Sequence, residues 1–219
     1  MLAAFDLDNT LLDRSAAIRR WAELLVEHEG LASREIDTVV RADADGSTSR
    51  EDFLVQVELL PGMHMGGSEL RRWYDVSYSA CYVPDEESIR ALTMFRDAGW
   101  KVGVVTNGRK RRTEEKLINA RLAPLVDGLC VAEEVGAEKP SRRIFEETAR
   151  RCGSVLSGWM IGDAPTEDIA GGAGAGLCTA WVRRGRTWGT VTPRPDMEVD
   201  SVLEAALRIL EQPVDSSST

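Results

Sequence analysis

Lysine is scarce in this chain of 219 residues: only Lys101, Lys110, Lys116 and Lys139 occur, leaving 23 of the 27 cations as arginine. Positive charge as a whole is short, with 27 Lys and Arg against 36 Asp and Glu and a net charge of −9. Neither broad nucleic-acid binding nor attachment to an anionic membrane is expected, because both rely on net positive surface. No apolar run approaches the roughly 20 residues of a membrane-spanning helix. The opening Met1-Leu-Ala-Ala-Phe5 runs straight into Asp6 without a basic n-region or a long h-region, so no secretory signal is expected. The four cysteines, at 81, 130, 152 and 178, form no CxxC pair. They read as buried thiols of a cytoplasmic protein rather than a disulfide framework. Histidine is confined to His28 and His64. Apolar residues make up 43% and charged residues 29%, enough to build a core without metal or disulfide staples and too apolar for wholesale disorder.

The pattern along the chain is regular from residue 85 onward. Pro84-Asp85 opens an amphipathic helix carrying Ile89 to Phe95, which stops near Gly99. Short apolar runs at 100–105, 128–132, 158–161 and 177–182 read as strands, alternating with helices near 109–121, after Ser141, and from about Thr166. Asp200 is expected to cap a last helix over 202–210, and 213–219 to fray. With a first strand at Leu2–Phe5, this predicts a doubly wound α/β fold around a parallel sheet. Residues 14–84 carry helical patterns and almost no strand signal. Ile18, Trp21, Leu24, Leu25 and His28 share a stripe ending at Gly30, and Ser49-x-x-Asp52 and Ser68-Glu69 mark two further helix starts. The expected organisation is a core of 1–13 and 85–212, interrupted by a helical insert over 14–84, with 213–219 as a flexible tail.

In an open α/β sheet, chemistry gathers at the carboxyl ends of the strands. Four such ends are polar here. Asp6-Leu-Asp8 follows the first strand, and two carboxylates so close favour a bound hard cation such as Mg²⁺. Thr106-Asn107-Gly108 follows the second, offering a hydroxyl, an amide and close backbone approach. Lys139, before a helix start, suits a phosphate. Gly162-Asp163, followed by Asp168, ends the strand around Trp159. A nucleophile candidate, a cation site and phosphate binders on one rim make the inventory of phosphoryl transfer. Both histidines fall in the insert, so acid–base work on the rim passes to a carboxylate, and Asp8 neighbours the candidate nucleophile.

The ordered set Asp6-x-Asp8-x-Thr10, Thr106-Asn107, Lys139-Pro140 and Gly162-Asp163-x4-Asp168 resembles the haloacid dehalogenase (HAD) superfamily of hydrolases. The likeness covers roughly 1–13 and 85–210, and the insert resembles that superfamily's helical C1 cap on a Rossmann-like core. The strings at 5–11 and 162–172 are most similar to the branch holding N-acylneuraminate-9-phosphatase and small nucleotide phosphatases. The resemblance implies an Mg²⁺-dependent phosphatase acting on a small phosphorylated metabolite, such as a sugar phosphate, nucleotide or phosphoglycolate. It implies that Asp6 attacks phosphorus to form an aspartyl-phosphate. Asp8 would serve as acid and then base, its backbone carbonyl also on the metal. Thr106, with the Asn107 backbone, would hold the phosphoryl group, and Lys139 would pair with the nucleophile and the phosphate. Asp163 would complete the metal site, and Asp168 would bind or orient metal-bound water. Asn9 stands where many members have glycine. The dehalogenase branch lacks the second aspartate, so Asp8 argues for phosphate chemistry.

Three rivals share this pattern, one of them a catalytically idle binding protein on this fold, against which intact Asp6, Asp8, Thr106, Lys139 and Asp163 argue. A phosphotransferase or mutase would use the same intermediate with a sugar phosphate as acceptor. A signalling receiver also uses Asp, Thr and Lys on a parallel sheet, but is about half this length and lacks the insert. Other patterns are set aside. Gly172-Ala-Gly174-Ala-Gly176 runs from helix to strand, the reverse of a dinucleotide loop. Asp43-Ala-Asp45-Gly46 would put Arg41 at the first ligand of a calcium loop. Met63-His64-Met65 reads as a loop, Tyr74, Tyr78 and Tyr82 as packing within the insert, and Arg109 to Arg112 as a solvated helix start.

Overall fold

Leu2–Phe5 (β1) is a run of four apolar residues with every side chain buried, as a strand covered on both faces requires. The computed structural model describes residues 1–212; the expected tail at 213–219 lies outside them. Parallel partners flank β1 on both sides: Lys101–Thr106 (β2) and Gly158–Gly162 (β4). Gly128–Val131 (β3) extends the sheet beyond β2, and Cys178–Val182 (β5) and Met197–Val199 (β6) extend it beyond β4. The order β3-β2-β1-β4-β5-β6 places β1 in the middle, where the winding reverses direction. β6 is absent from the sequence reading. It has three residues, its central Glu198 is exposed, and the segment before it is rich in Arg, Gly and Pro.

Alternation of side chains about the strands supplies two cores. Leu2 and Ala4 face Arg142–Arg151 (α8), packing with Ile144, Phe145, Ala149 and Cys152. Phe5, on the other face, meets Phe95 of Glu86–Asp97 (α5) edge to face at 5.5 Å, and Phe95 meets Trp100 at 5.4 Å. Val202–Leu210 (α10) packs on α5. Its N-cap is Ser201, whose hydroxyl accepts from the Glu204 amide at 3.2 Å. Asp200, expected as the cap, is one residue too early and pairs with Arg183 instead. Ser141 does sit at the cap position of α8, but its hydroxyl makes no cap bond. The helix expected near Thr166 is a π-helical turn over Pro165–Ala170, followed by the short helix Gly171–Gly174. Cys81, Cys130 and Cys152 are buried, whereas Cys178, at the exposed end of β5, is not.

The chain divides into two compact units, Met1–Leu12 with the chain from Pro84 on, and Asp13–Val83. The second is helical: Arg14–Glu29 (α1), Glu35–Asp43 (α2), Arg50–Glu58 (α3) and Gly67–Ser77 (α4). Its centre is aromatic, with Trp21 against Tyr74 at 5.0 Å and Phe53 at 5.7 Å, and Tyr74 stacked on Tyr78 at 4.7 Å. The Tyr78 and Tyr82 hydroxyls are bonded at 2.9 Å. The buried stripe of α1 is Ala17, Ile18, Trp21, Ala22, Leu25 and Val26; Leu24 and His28 fall on its exposed side. Asp43 accepts from the Gly46 amide and from Arg14, which makes the 43–46 segment a turn.

Candidate active site

Each central strand ends in one of the polar residues singled out above. Phe5 lies beside Val104 and Ile161, and the Asp6 amide continues the ladder to the Ile161 carbonyl at 2.9 Å. Asp6, Thr106 and Asp163 therefore leave three adjacent strands on one edge. After Asp6 the chain turns tightly. The Leu7 carbonyl accepts from the amides of Thr10, Leu11 and Leu12, and Asn9 adopts a left-handed φ of 66°. Asparagine is among the few residues other than glycine that tolerate that region, which accounts for Asn9 here.

Asp168 reaches the edge from inside the π-helical turn. Its Oδ2 accepts from the Ala164 amide at 2.9 Å, and Oδ1 accepts from Lys139 Nζ at 2.7 Å. A Cβ on Gly162 would stand 2.3 Å from that carboxylate, so only glycine fits at Gly162. Lys139 is 4% exposed and also donates to Asp6 Oδ1 at 2.5 Å. Its backbone is clasped by Asn107: the Lys139 amide donates to Asn107 Oδ1 at 2.7 Å, and Asn107 Nδ2 donates to the Lys139 carbonyl at 3.1 Å. The Asn107 side chain thus holds the lysine loop. The Thr106 hydroxyl is buried and accepts from the Gly108 amide at 3.2 Å.

One oxygen each from Asp6, Asp163 and Asp168 lies within 4.8 Å of the others. Such crowding out of water resists charge. Burial pushes Asp6 up to about 7, partly countered by Lys139 and reinforced by Asp168. Burial, then the Asp6 charge, pushes Asp163 up to about 6. Asp168 is likewise raised by burial, against the pull of Lys139. Burial disfavours the Lys139 ammonium, but Asp168 and Asp6 outweigh it and hold the group above its ordinary range. Three hard oxygen donors converging at an edge that opposes their ionisation match a small divalent cation.

Asp8 stands apart from this cluster. Both its carboxylate oxygens accept from Lys116 Nζ, at 2.7 and 2.6 Å. Lys116 lies on Lys110–Asn119 (α6) and was not among the residues predicted from sequence. Arg186 was also unforeseen. Its Nη2 donates to Asp163 Oδ2 at 2.9 Å and to the Asp163 carbonyl at 2.8 Å, while its guanidinium lies over Trp181. Trp181 Nε1 donates to the same carbonyl at 2.9 Å. A readable trace of Lys116 existed: it is one of four lysines in an arginine-rich chain, placed on a helix that follows Thr106-Asn107. The Arg109–Arg112 run is largely exposed and partly neutralised, with Lys110 on Glu134 at 2.7 Å and Arg111 on Glu115 at 3.2 Å.

The chain matches the haloacid dehalogenase-like hydrolase family over residues 1–176. It is 30% identical over 214 residues to a glyceraldehyde 3-phosphate phosphatase of Methanopyrus kandleri, covering 90% of this chain and 91% of that protein. It is 27% identical to the N-acylneuraminate-9-phosphatase of Rattus norvegicus, covering 91% and 90%. Among solved structures, the magnesium-bound HAD hydrolase YfnB of Bacillus subtilis superposes with a TM-score of 0.74 at 21% identity, covering 95% of this chain and 98% of that one. That likeness concerns the fold. Among the described residues no helix is long and apolar enough to cross a membrane. With its curated relatives named as phosphatases, the chain belongs to the haloacid dehalogenase-like hydrolase family of enzymes.

Proposed function

We propose that this enzyme hydrolyses small phosphate monoesters with Mg²⁺, through a phosphoryl group carried on Asp6. The observation that supports this most is the Lys139 ammonium bonded to Asp6 within the buried carboxylate cluster. A dianionic phosphate approaching a lone carboxylate is repelled. Here the nucleophile is presented with a cation in contact and room for a second among the acids. Asp6 Oδ attacks phosphorus and the bond to the ester oxygen breaks, giving an acyl phosphate. Asp8, entering the cycle in its protonated form, gives that proton to the departing oxygen, and as the carboxylate it then takes one from the water that attacks the acyl phosphate. Inorganic phosphate leaves and Asp6 returns as carboxylate. Thr106 donates its hydroxyl to the phosphoryl oxygens, and Lys139 stabilises their charge. Asp168 and Asn107 act by holding Lys139. Asp6, Asp163 and the Asp8 carbonyl, with Asp168 beside them, would hold Mg²⁺, which would supply charge neutralisation at the phosphoryl group.

The named activities of the relatives set the substrate panel: glyceraldehyde 3-phosphate, N-acylneuraminate 9-phosphate and nucleotides, with p-nitrophenyl phosphate as a generic probe. Phosphate release that needs Mg²⁺ and disappears in Asp6→Asn is the expected result. Wild type and Asp6→Asn behaving alike across the panel would sink the reading. Reaction in ¹⁸O-labelled water separates hydrolysis from transfer to a sugar acceptor, because label enters phosphate only when water is the acceptor.

A further inference from the structure

Lys116, a buried cation on α6, has no task in that reaction. We propose that Lys116 is the positioning residue of Asp8: its ammonium holds the carboxyl group that serves first the ester oxygen and then the attacking water. The inference rests on the phosphatase reading of Asp8.

Three observations carry it. The Asp8 backbone is already pinned. The turn below it is closed by the Leu7 carbonyl, the Asn9 amide donates to the Leu12 carbonyl at 2.7 Å, and residue 8 bridges to Leu12. What remains to be set is the side chain, and Lys116 grips both of its oxygens. The grip comes from a well-anchored element. Thr113, Lys116 and Leu117 form the buried side of α6, spaced three and four apart, and the Thr113 hydroxyl donates to the Arg109 carbonyl at 2.9 Å. α6 starts two residues after Gly108, whose amide meets the Thr106 hydroxyl. One segment thus carries the phosphate-binding hydroxyl and the ammonium on Asp8.

The third observation is the choice of cation. Arginine supplies 23 of the 27 cations, yet the two that are buried at this edge are lysines, one on Asp6 and one on Asp8. Lys101 and Lys110 are exposed and pair with surface acids. A compact ammonium with three rotatable donors suits a narrow slot against one carboxylate better than a planar guanidinium does.

The test compares two substrates that differ in their need for a proton. Nitrophenolate departs unaided, whereas an alkoxide does not, and kcat/KM reports the steps through departure of the leaving group. For Lys116→Met we expect kcat/KM on an alkyl phosphate turned over by wild type to fall about tenfold to a hundredfold, within the range of general-acid effects. On p-nitrophenyl phosphate the fall is expected to be about threefold or less, since little proton donation is at stake. In the Asp8→Asn background, Lys116→Met should add nothing to either value, because a residue acting through Asp8 has nothing left to position. Equal losses on both substrates, or losses that add to those of Asp8→Asn, mean a merely structural ion pair and overturn the proposal. Lys116→Gln, checked by thermal unfolding, provides the same comparison if the methionine variant does not fold. If wild type releases phosphate and Asp6→Asn does not, yet both Lys116 variants keep the wild-type ratio of alkyl to aryl activity, the inference alone fails. If wild type releases none, the phosphatase reading fails and takes the inference with it.

Discussion

Buried charge is arranged in opposite ways in the two units. In the helical unit, buried Asp43 faces one guanidinium, Arg14, at 2.5 and 3.1 Å, and its remaining capacity closes the turn at the Gly46 amide. One negative group meets one positive group, and the product is a fixed turn beside an aromatic interior. At the strand ends of the α/β unit, three buried carboxylates converge on less positive charge: Asp6 and Asp168 share one buried ammonium, Lys139, and Asp163 pairs with the half-exposed Arg186. A balanced pair has finished its electrostatic work on folding. An unbalanced cluster retains a demand for positive charge, and that demand is what a binding site for a cation or a charged reaction step consists of.

The contrast is sharpest in paired substitutions. Asp6→Asn should lower phosphatase kcat by about a thousandfold or more while leaving the unfolding midpoint unchanged or higher, since it removes a nucleophile and a repelled charge together. Asp43→Ala should destabilise the chain by about 3 kcal/mol, because it strands Arg14 and opens the turn; denaturant unfolding measures it. An Asp6→Asn variant as unstable as Asp43→Ala would erase the distinction. Lys139→Met belongs to both classes. It should abolish turnover and also cost about 3 kcal/mol at neutral pH, as Asp6 and Asp168 lose the buried ammonium they share.

Acidity and metal offer a graded test. Asp6 and Asp163 titrate at about 7 and about 6 in the fold, mainly through burial, against an ordinary carboxyl near 3.8. A raised acid holds its proton longer folded than unfolded. The metal-free protein should therefore lose stability as pH climbs from about 4 to about 7, and level off above. Mg²⁺ offsets that loss, so the gap between melting temperatures with and without the ion should widen over the same interval. A gap independent of pH would argue that these carboxylates do not bind it. The smallest effect belongs to the helical unit: Tyr78→Phe removes one buried hydroxyl pair and should cost about 1 kcal/mol in denaturant unfolding.

The outline of the α/β unit was readable because buried parallel strands are short, continuous apolar runs that contrast with their polar loops. Its exceptions have local causes. β6 is short and carries Glu198 outward, so it lacks such a run. The cap of α10 shifted from Asp200 to Ser201, since two adjacent good cap residues are equivalent until the backbone chooses one. Leu24 matched a helical stripe by count but lies just past the buried arc of α1. At the strand ends, Asp6, Asp8, Thr106, Asn107, Lys139, Asp163 and Asp168 were all named from their spacing. Lys139 on Asp6 was expected from the family resemblance; other partners were not: Asn107 turns to the Lys139 backbone, and Asp168 turns to the lysine and the Ala164 amide.

By itself, the order of residues determined which segments form the first five strands, most of the helices that follow them, and which polar groups stand at strand ends, because burial period and turn chemistry are local properties. Only the tertiary structure decided that Lys116 meets Asp8 across 108 positions and that Arg186 meets Asp163 across 23. Those pairings depend on strands from distant parts of the chain lying side by side in the order β3-β2-β1-β4-β5-β6, and no local pattern encodes a distance between segments that meet only when the sheet is assembled.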